Sequence, residues 1–98
     1  MALTSDFRPT YLEPGITKIA SGYGLHASFQ TDFDVMTPVY RVCDIRSKRY
    51  VDIEVSELLS LARQDDFDEL KMVIHRACER VLDEMAGLFA LADEGKRA

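Results

Sequence analysis

The chain has 98 residues, of which 47% are hydrophobic and 30% charged, the composition of one ordinary globular domain. Its formal net charge of −5 argues against a protein that coats nucleic acid through clustered Lys and Arg. No apolar run approaches the roughly 20 residues of a membrane-spanning helix, and Met1–Thr10 does not resemble a secretory signal. We therefore expect one cytoplasmic domain over residues 1–98, with no membrane as partner.

The first third of the chain predicts an irregular arm followed by a hairpin. Residues 1–15 contain two prolines and little periodicity, so we expect an irregular N-terminal arm. Ile16–Ala20 and Leu25–Gln30 have the pattern of two short strands, and the glycines of Ser21–Gly24 would form the turn between them. Thr31–Thr37 is a loop that could contain a further strand.

A second hairpin is predicted from Val39–Ile45 and Tyr50–Val55, because both segments are rich in β-branched and aromatic residues. A turn symmetric about Ser47-Lys48 would give three cross-strand pairs: Ile45 with Tyr50, Cys43 with Asp52 and Arg41 with Glu54. The other face would be apolar and would pack on helices: Tyr40, Val42, Val51, Ile53 and Val55. A shift of the register by one residue stays open, since no Asn-Gly or Asp-Gly marks a tight turn.

Residues 56–92 predict a short helix and a long helix. Ser56 has the position of an N-cap for a short helix over Glu57–Arg63. Asp66, with a glutamate three residues later, has the pattern of a capping box that starts the long helix, and Gly95 with the cations after it has the pattern of a helix stop. We therefore expect an α+β fold, in which a sheet of three to five antiparallel strands over residues 16–55 is covered on one face by both helices.

The long helix has an apolar face that covers about half of its circumference. A helix packed on one sheet needs a stripe of a little over ~100°, so the additional apolar width must contact something else. Either the short helix or the N-terminal arm covers it, or it is a homodimer seam or a partner groove. The candidate interaction residues on this face are Leu70, Ile74, Ala77, Val81, Met85 and Leu88.

The residues that could carry chemistry form no convincing site. His75, Cys78 and Glu79 lie within one helical turn, but no second cluster of metal ligands accompanies them. Cys78 lies on the apolar arc of the helix, which favours a structural thiol, whereas the role of Cys43 stays open. We therefore expect no metal, no cofactor and no catalytic residue.

The tip of the second hairpin is basic. It could contact phosphates or an acidic protein surface, or it could be a solvated turn whose charges guard the sheet against edge pairing. The residues of this basic tip are Arg41, Arg46, Lys48 and Arg49, with Asp44 as the one nearby acid.

Taken together, these patterns favour a small non-enzymatic interaction protein. We expect a homodimer, a contact with a larger protein complex, or both, in the role of a regulator, adaptor or inhibitor. The alternative is a nucleic-acid or ribonucleoprotein contact module that uses the basic tip.

Overall fold

The computed structural model describes residues 8–31 and 37–97, and the side chains of these residues as far as Gly87. Its helices are α1 (Glu13–Gly22), α2 (Val55–Arg63) and α3 (Phe67–Arg97), and its strands are β1 (His26–Gln30), β2 (Val39–Cys43) and β3 (Tyr50–Glu54). The strands form one antiparallel sheet with β2 in the centre. The predicted α+β class is therefore confirmed.

Helix α1 corrects the first predicted hairpin. A strand over Ile16–Ala20 is wrong, because this segment lies within α1. Pro14 lies in the first turn of the helix, where its missing N–H removes no helical hydrogen bond. Gly24 has a φ of 75°, which turns the chain from the helix into β1. The apolar side chains that α1 and the residue before it bury are spaced by four residues: Leu12, Ile16 and Ala20.

Strands β2 and β3 form the second predicted hairpin, but in a register two residues away from the predicted one. Cys43 lies opposite Tyr50 and not opposite Asp52. Arg41 lies opposite Asp52 and not opposite Glu54. Because side chains alternate between the two faces with a period of two, this displacement leaves each side chain on its predicted face.

The displacement arises in the loop, which contains Ile45 as well as the predicted Arg46–Arg49. The Asp44 carboxylate accepts a hydrogen bond from the backbone N–H of Ser47 at 2.8 Å, and the Lys48 N–H donates to the Asp44 carbonyl at 2.8 Å. Lys48 takes the left-handed φ of 62° that closes this arrangement. Asp44 thus orders a six-residue loop where the sequence favoured a turn of four.

The hydrogen bonds at the two ends of the hairpin decide which backbone groups of β3 face β2. The Asp44 N–H donates to the Arg49 carbonyl at 2.9 Å, and the Val55 N–H donates to the Pro38 carbonyl at 3.1 Å. Hydrogen-bonded pairs alternate with non-hydrogen-bonded pairs in an antiparallel ladder, so the second and fourth residues of β3 bond to β2. The remaining residues of β3 direct their N–H and C=O groups away from the sheet: Tyr50, Asp52 and Glu54.

The core lies between one face of the sheet and the helices. Helix α3 contacts β2, β3, α1 and α2, and α1 also contacts β1. The sheet contributes one set of side chains to this core, namely Ala27, Phe29, Tyr40, Val42, Val51 and Ile53. The helices and adjoining turns contribute Leu12, Ile16, Ala20, Leu25, Val55, Leu58, Leu70, Ile74, Ala77, Cys78 and Val81.

The start of α2 differs from the prediction by two residues. The helix begins at Val55, and Glu54 holds the N-cap position without a side-chain hydrogen bond. Ser56 therefore lies inside the first turn and is not the cap. The buried side chain of Val55 explains the early start, because it joins the core at the point where β3 ends.

Helix α3 begins as predicted and extends past its predicted end. The Asp66 carboxylate accepts a hydrogen bond from the Glu69 N–H at 3.2 Å, which confirms the N-cap. The second hydrogen bond of a capping box would run from the Asp66 N–H to the Glu69 carboxylate. Here the Asp66 N–H donates to the Leu61 carbonyl instead, and the Glu69 carboxylate accepts from Arg76. Gly95 does not end the helix, which continues to Arg97.

Two predictions lie outside the described residues in whole or in part. Of the N-terminal arm, residues 1–7 are not described, residues 8–12 have no regular secondary structure, and residues 13–15 are helical. Residues 32–36, which hold most of the segment interpreted as a loop with a possible strand, are also not described.

The hairpin register can be tested by disulfide formation. Cys43 and Tyr50 form a non-hydrogen-bonded pair, whose Cα separation of about 4.5 Å suits a disulfide. We expect the variant Tyr50→Cys to form an internal disulfide between Cys43 and the new thiol at position 50, seen by peptide mapping of the non-reduced protein. Asp52→Cys is the matched control, and preferential linkage at position 52 would restore the register predicted from sequence.

Candidate functional site

A concavity with a largely apolar lining lies between α1 and α3. Its volume is about 160 Å³. Leu70 and Ile74, two of the predicted interaction residues, line it. Lys71 is the one charged residue among its lining residues, which are Tyr11, Leu12, Gly15, Ile16, Ile19, Phe67, Leu70, Lys71 and Ile74. We refer to this feature as the α1/α3 groove.

Two exposed aromatic side chains border the α1/α3 groove. Tyr11 is 67% exposed and Phe67 is 41% exposed, although both are large enough to be expected in a core or an interface. Tyr11 lies in the turn before α1, which is closed by a hydrogen bond from the Leu12 N–H to the Pro9 carbonyl at 2.9 Å. Phe67 is the first residue of α3 and follows the cap at Asp66. Both aromatic residues are thus held by local backbone contacts.

A polar cluster fixes the N-terminal end of α1 to the sheet. Tyr40 is buried in β2, and its hydroxyl donates a hydrogen bond to the Glu13 carboxylate at 2.5 Å. Arg8 donates to the same carboxylate through Nε and Nη2, at 2.7 and 3.2 Å, and its guanidinium lies 5.0 Å from the centre of the Phe29 ring. A buried phenol requires such a partner, because an unpaired hydroxyl in the core costs free energy.

This cluster shifts the pKa values of its members in opposite directions. The hydrogen bond from Arg8, together with that from Tyr40, holds the pKa of the Glu13 carboxyl below its usual range. Burial, followed by the hydrogen bond to Glu13, raises the pKa of the Tyr40 hydroxyl. The cluster therefore keeps an ionised carboxylate beside a neutral phenol.

A second contact holds the other end of α1 against α3. The Tyr23 hydroxyl lies 2.8 Å from Nδ1 of His75, and the two rings meet edge to face with centroids 5.6 Å apart. Burial raises the pKa of the Tyr23 hydroxyl, and the nearby Glu79 carboxylate adds to this shift. The imidazole of His75 thus has a structural partner.

The residues considered for chemistry are not gathered into one site. Cys78 is fully buried, and burial raises the pKa of its thiol to about 11, which is unfavourable for a nucleophilic thiolate. Cys43 is half-buried and lies opposite His26 on the sheet face that points away from the helices. Among the described side chains, those of residues 8–31 and 37–87, no three His, Cys, Asp or Glu side chains converge as metal ligands would.

The predicted interaction face of α3 is covered largely by the chain itself. Of its six residues, Leu70, Ile74, Ala77 and Val81 are buried, and Met85 is half-buried against the same core. The side chain of Leu88 lies outside the described part of the structure. The residues of α3 that border the covered face, such as Phe67 and Lys71, are exposed.

The basic tip divides into two parts. Arg41 is engaged, because its guanidinium pairs with Asp52 at 2.9 and 3.1 Å and lies 4.0 Å from the centre of the Tyr50 ring. In the described structure Arg46, Lys48 and Arg49 are exposed and form no ion pair. Ile45 lies among them and is 72% exposed.

Sequence reasoning missed Tyr11, Ile19 and Lys71 as members of a common surface. The signal was the spacing of Leu12, Ile16, Ile19 and Tyr23, which is helical, whereas Ile16–Ala20 was interpreted as a strand. Once α1 is a helix, its exposed flank and that of α3 can form a groove.

Comparison with known proteins found no matching protein family, no matching curated protein and no matching solved structure. None of the described helices combines the length and the apolar character needed to cross a membrane.

The contribution of the Glu13 cluster to the free energy of unfolding depends on pH. Because the pKa of Glu13 is lowered in the folded state, the stability it contributes is present above the ordinary pKa of a glutamate and is lost as the pH falls through the lowered value. We expect Glu13→Gln to lower the free energy of unfolding by about 1 kcal/mol at pH 7 and to lose less stability on acidification. Urea unfolding from pH 7 downward measures both effects.

The matched control for this prediction is Glu84→Gln. In the described structure Glu84 is exposed, and its carboxylate accepts no hydrogen bond and joins no ion pair. Its variant should follow the wild-type pH profile, and an equal change in both variants would contradict the role given to Glu13.

Proposed function

We propose that this protein is a small non-enzymatic interaction module that works by binding another protein through the α1/α3 groove. The observation that carries the proposal is the pair of exposed aromatic rings, Tyr11 and Phe67, beside a groove with an apolar lining. Exposed aromatic residues beside an apolar depression are typical of binding hot spots. A regulator, adaptor or inhibitor of a larger complex would act in this way.

The size of the α1/α3 groove favours protein side chains as its occupant. Small-molecule pockets usually have volumes of about 300–1,000 Å³, and this groove has about 160 Å³. That volume suits one or two apolar side chains of a partner helix, in the manner of a helix bound in a groove. The ammonium group of Lys71 would pair with a carboxylate next to those side chains.

The chemistry of the remaining residues supports a binding role. The Cys78 thiol is kept protonated by burial, and the His75 ring is occupied by Tyr23. Both cysteines are free, which supports a reducing compartment such as the cytoplasm. These observations favour recognition over catalysis.

Photo-crosslinking tests the groove. We expect p-benzoylphenylalanine at position 67 to give a specific adduct in cells of the native host, and we expect Lys71→Glu to reduce its yield at least about three-fold through charge repulsion. The crosslinked partner peptide should carry apolar side chains beside an acidic residue. A synthetic copy of that peptide should bind the wild-type protein at least about ten-fold more tightly than the Tyr11→Ser variant.

Met72 provides the matched control for the groove. It is 46% exposed on the same helix as Phe67, but it does not line the groove. The same photoreactive residue at position 72 should give no such adduct. Equal adducts at both positions, or none at position 67, would rule out the groove as the binding site.

A second candidate function is contact with nucleic acid through the basic tip. The hydrogen bonds that Asp44 accepts from the backbone of the loop favour this function, because they fix the loop that carries three exposed cations. These cations are Arg46, Lys48 and Arg49. The exposed Ile45 at the same loop could contact bases, and the cations could contact phosphates.

Charge reversal separates this candidate from a simple solvated turn. If the tip binds nucleic acid, fluorescence anisotropy with a labelled single strand of about 20 nucleotides should show binding that weakens as salt is raised. The double variant Arg46→Glu, Arg49→Glu should lose it. The double variant Lys18→Glu, Arg63→Glu changes the net charge equally at distant exposed sites and should retain it. Absence of binding at low salt, or equal loss in both variants, would remove the candidate.

A further inference from the structure

Within the described residues, the outer edge of β3 has the features of a surface that pairs with a copy of itself. In the described part of the sheet, β3 is an outer strand whose one neighbour is β2. Three of its five residues direct their backbone N–H and C=O groups away from β2, as the hairpin hydrogen bonds require. An outer strand with unused backbone groups is a template for another strand.

A trough runs along this edge. Its volume is about 210 Å³. Three consecutive residues of β3 line it: Val51, Asp52 and Ile53. The Asp52 side chain lies on one face of the sheet, and the side chains of Val51 and Ile53 lie on the other. Because residues from both faces line the trough, it follows the edge of the strand. The remaining lining residues come from α2 and α3: Glu57, Val73, Arg76, Ala77 and Arg80.

The charges along β3 are arranged with opposite signs at its two ends. Lys48 and Arg49 precede the strand and are exposed. Asp52 lies within the strand, Glu54 is its last residue, and Glu57 follows in the first turn of α2. An antiparallel copy of the strand would place the basic end of each chain against the acidic end of the other, so the edge is complementary to itself.

We propose that two copies of the chain associate through β3, antiparallel about a twofold axis at Val51, to form a continuous six-stranded sheet. Tyr50 would lie opposite Asp52 of the partner subunit, which allows about four backbone hydrogen bonds across the axis. Lys48 would lie opposite Glu54 of the partner subunit. The two Val51 side chains would contact each other at the axis, where each lines the trough of its own chain.

Four other twofold registers can use the outward backbone groups of β3, and all are less favourable. An axis at Tyr50 or at Glu54 pairs only one of the three outward residues, with its own copy, which gives about two backbone hydrogen bonds instead of four. An axis at Asp52 places that carboxylate opposite Asp52 of the partner subunit. An axis at Ile53 places Asp52 opposite Glu54 of the partner subunit. Like charges directly opposite each other destabilise a strand pair, so the axis at Val51 is selected.

This dimer goes beyond the proposed function, because the lining of the trough and that of the α1/α3 groove have no residue in common. Either surface could therefore fail its test without affecting the other. It also differs from the helix seam predicted from sequence, whose central residues are buried within one chain.

Sedimentation equilibrium over a range of concentrations tests the dimer. The wild-type chain should associate reversibly, and Lys48→Glu or Glu54→Lys should each raise the dissociation constant about ten-fold, because attraction becomes repulsion at two symmetric contacts. The double variant Lys48→Glu, Glu54→Lys restores opposite charges and should return the constant to within about three-fold of wild type. A strict monomer at all concentrations would overturn the proposal.

Disulfide trapping tests the register in a Cys43→Ser background. Val51→Cys should give a linked dimer on mild oxidation, since the two residues meet at the axis, and Ile53→Cys should not. Preferential linkage at position 53 would exclude the proposed pairing. So would a sedimentation result in which Lys48→Glu and Glu54→Lys associate as tightly as the wild-type chain. Circular dichroism of each variant confirms that it is folded. If Lys48→Glu or Glu54→Lys fails to fold, Lys48→Gln or Glu54→Gln replaces it, and the dissociation constant is again expected to rise.

Discussion

Helix α3 is the element on which the rest of the described structure depends, because α1, α2, β2 and β3 all contact it. Its buried stripe is formed by Leu70, Ile74, Ala77, Cys78 and Val81. A three-stranded sheet with one apolar face cannot bury that face alone, and α3 supplies the opposing surface. Leu70 and Ile74 also line the α1/α3 groove, so the candidate binding surface and the core share the same side chains. Disturbing one therefore affects the other.

The position of α1 on this core is set by polar contacts at both of its ends. The Tyr40 hydroxyl and the Arg8 guanidinium hold the Glu13 carboxylate at the N-terminal end, and Tyr23 contacts His75 at the other. Between these two contacts α1 buries small and β-branched side chains against α3. A groove between two helices keeps its width only when both helices are fixed, and such preorganisation lowers the entropy lost when a partner binds.

The fold predicted from sequence was right in class and wrong in the details that depend on competition between local signals. Asp66 was identified as an N-cap because capping requires only neighbouring residues. The sequence predicts a strand at Ile16–Ala20 because the prolines of residues 1–15 favour an irregular arm before it, although proline is also favoured in the first turn of a helix, where Pro14 lies. The hairpin register differs from the predicted one by two residues, because the Asp44 side chain, and not a turn dipeptide, sets the length of the loop.

The sequence by itself determined which residues are apolar, which face of each strand they occupy and where α3 begins, because these properties follow from local periodicity and capping. The tertiary structure alone decided which apolar residues stay exposed. Whether Leu70 or Tyr11 contacts solvent depends on where α1 packs, and that position is set by contacts such as the one between Glu13 and Tyr40, 27 residues apart. The candidate site lies between segments distant in sequence, so no local pattern could specify it.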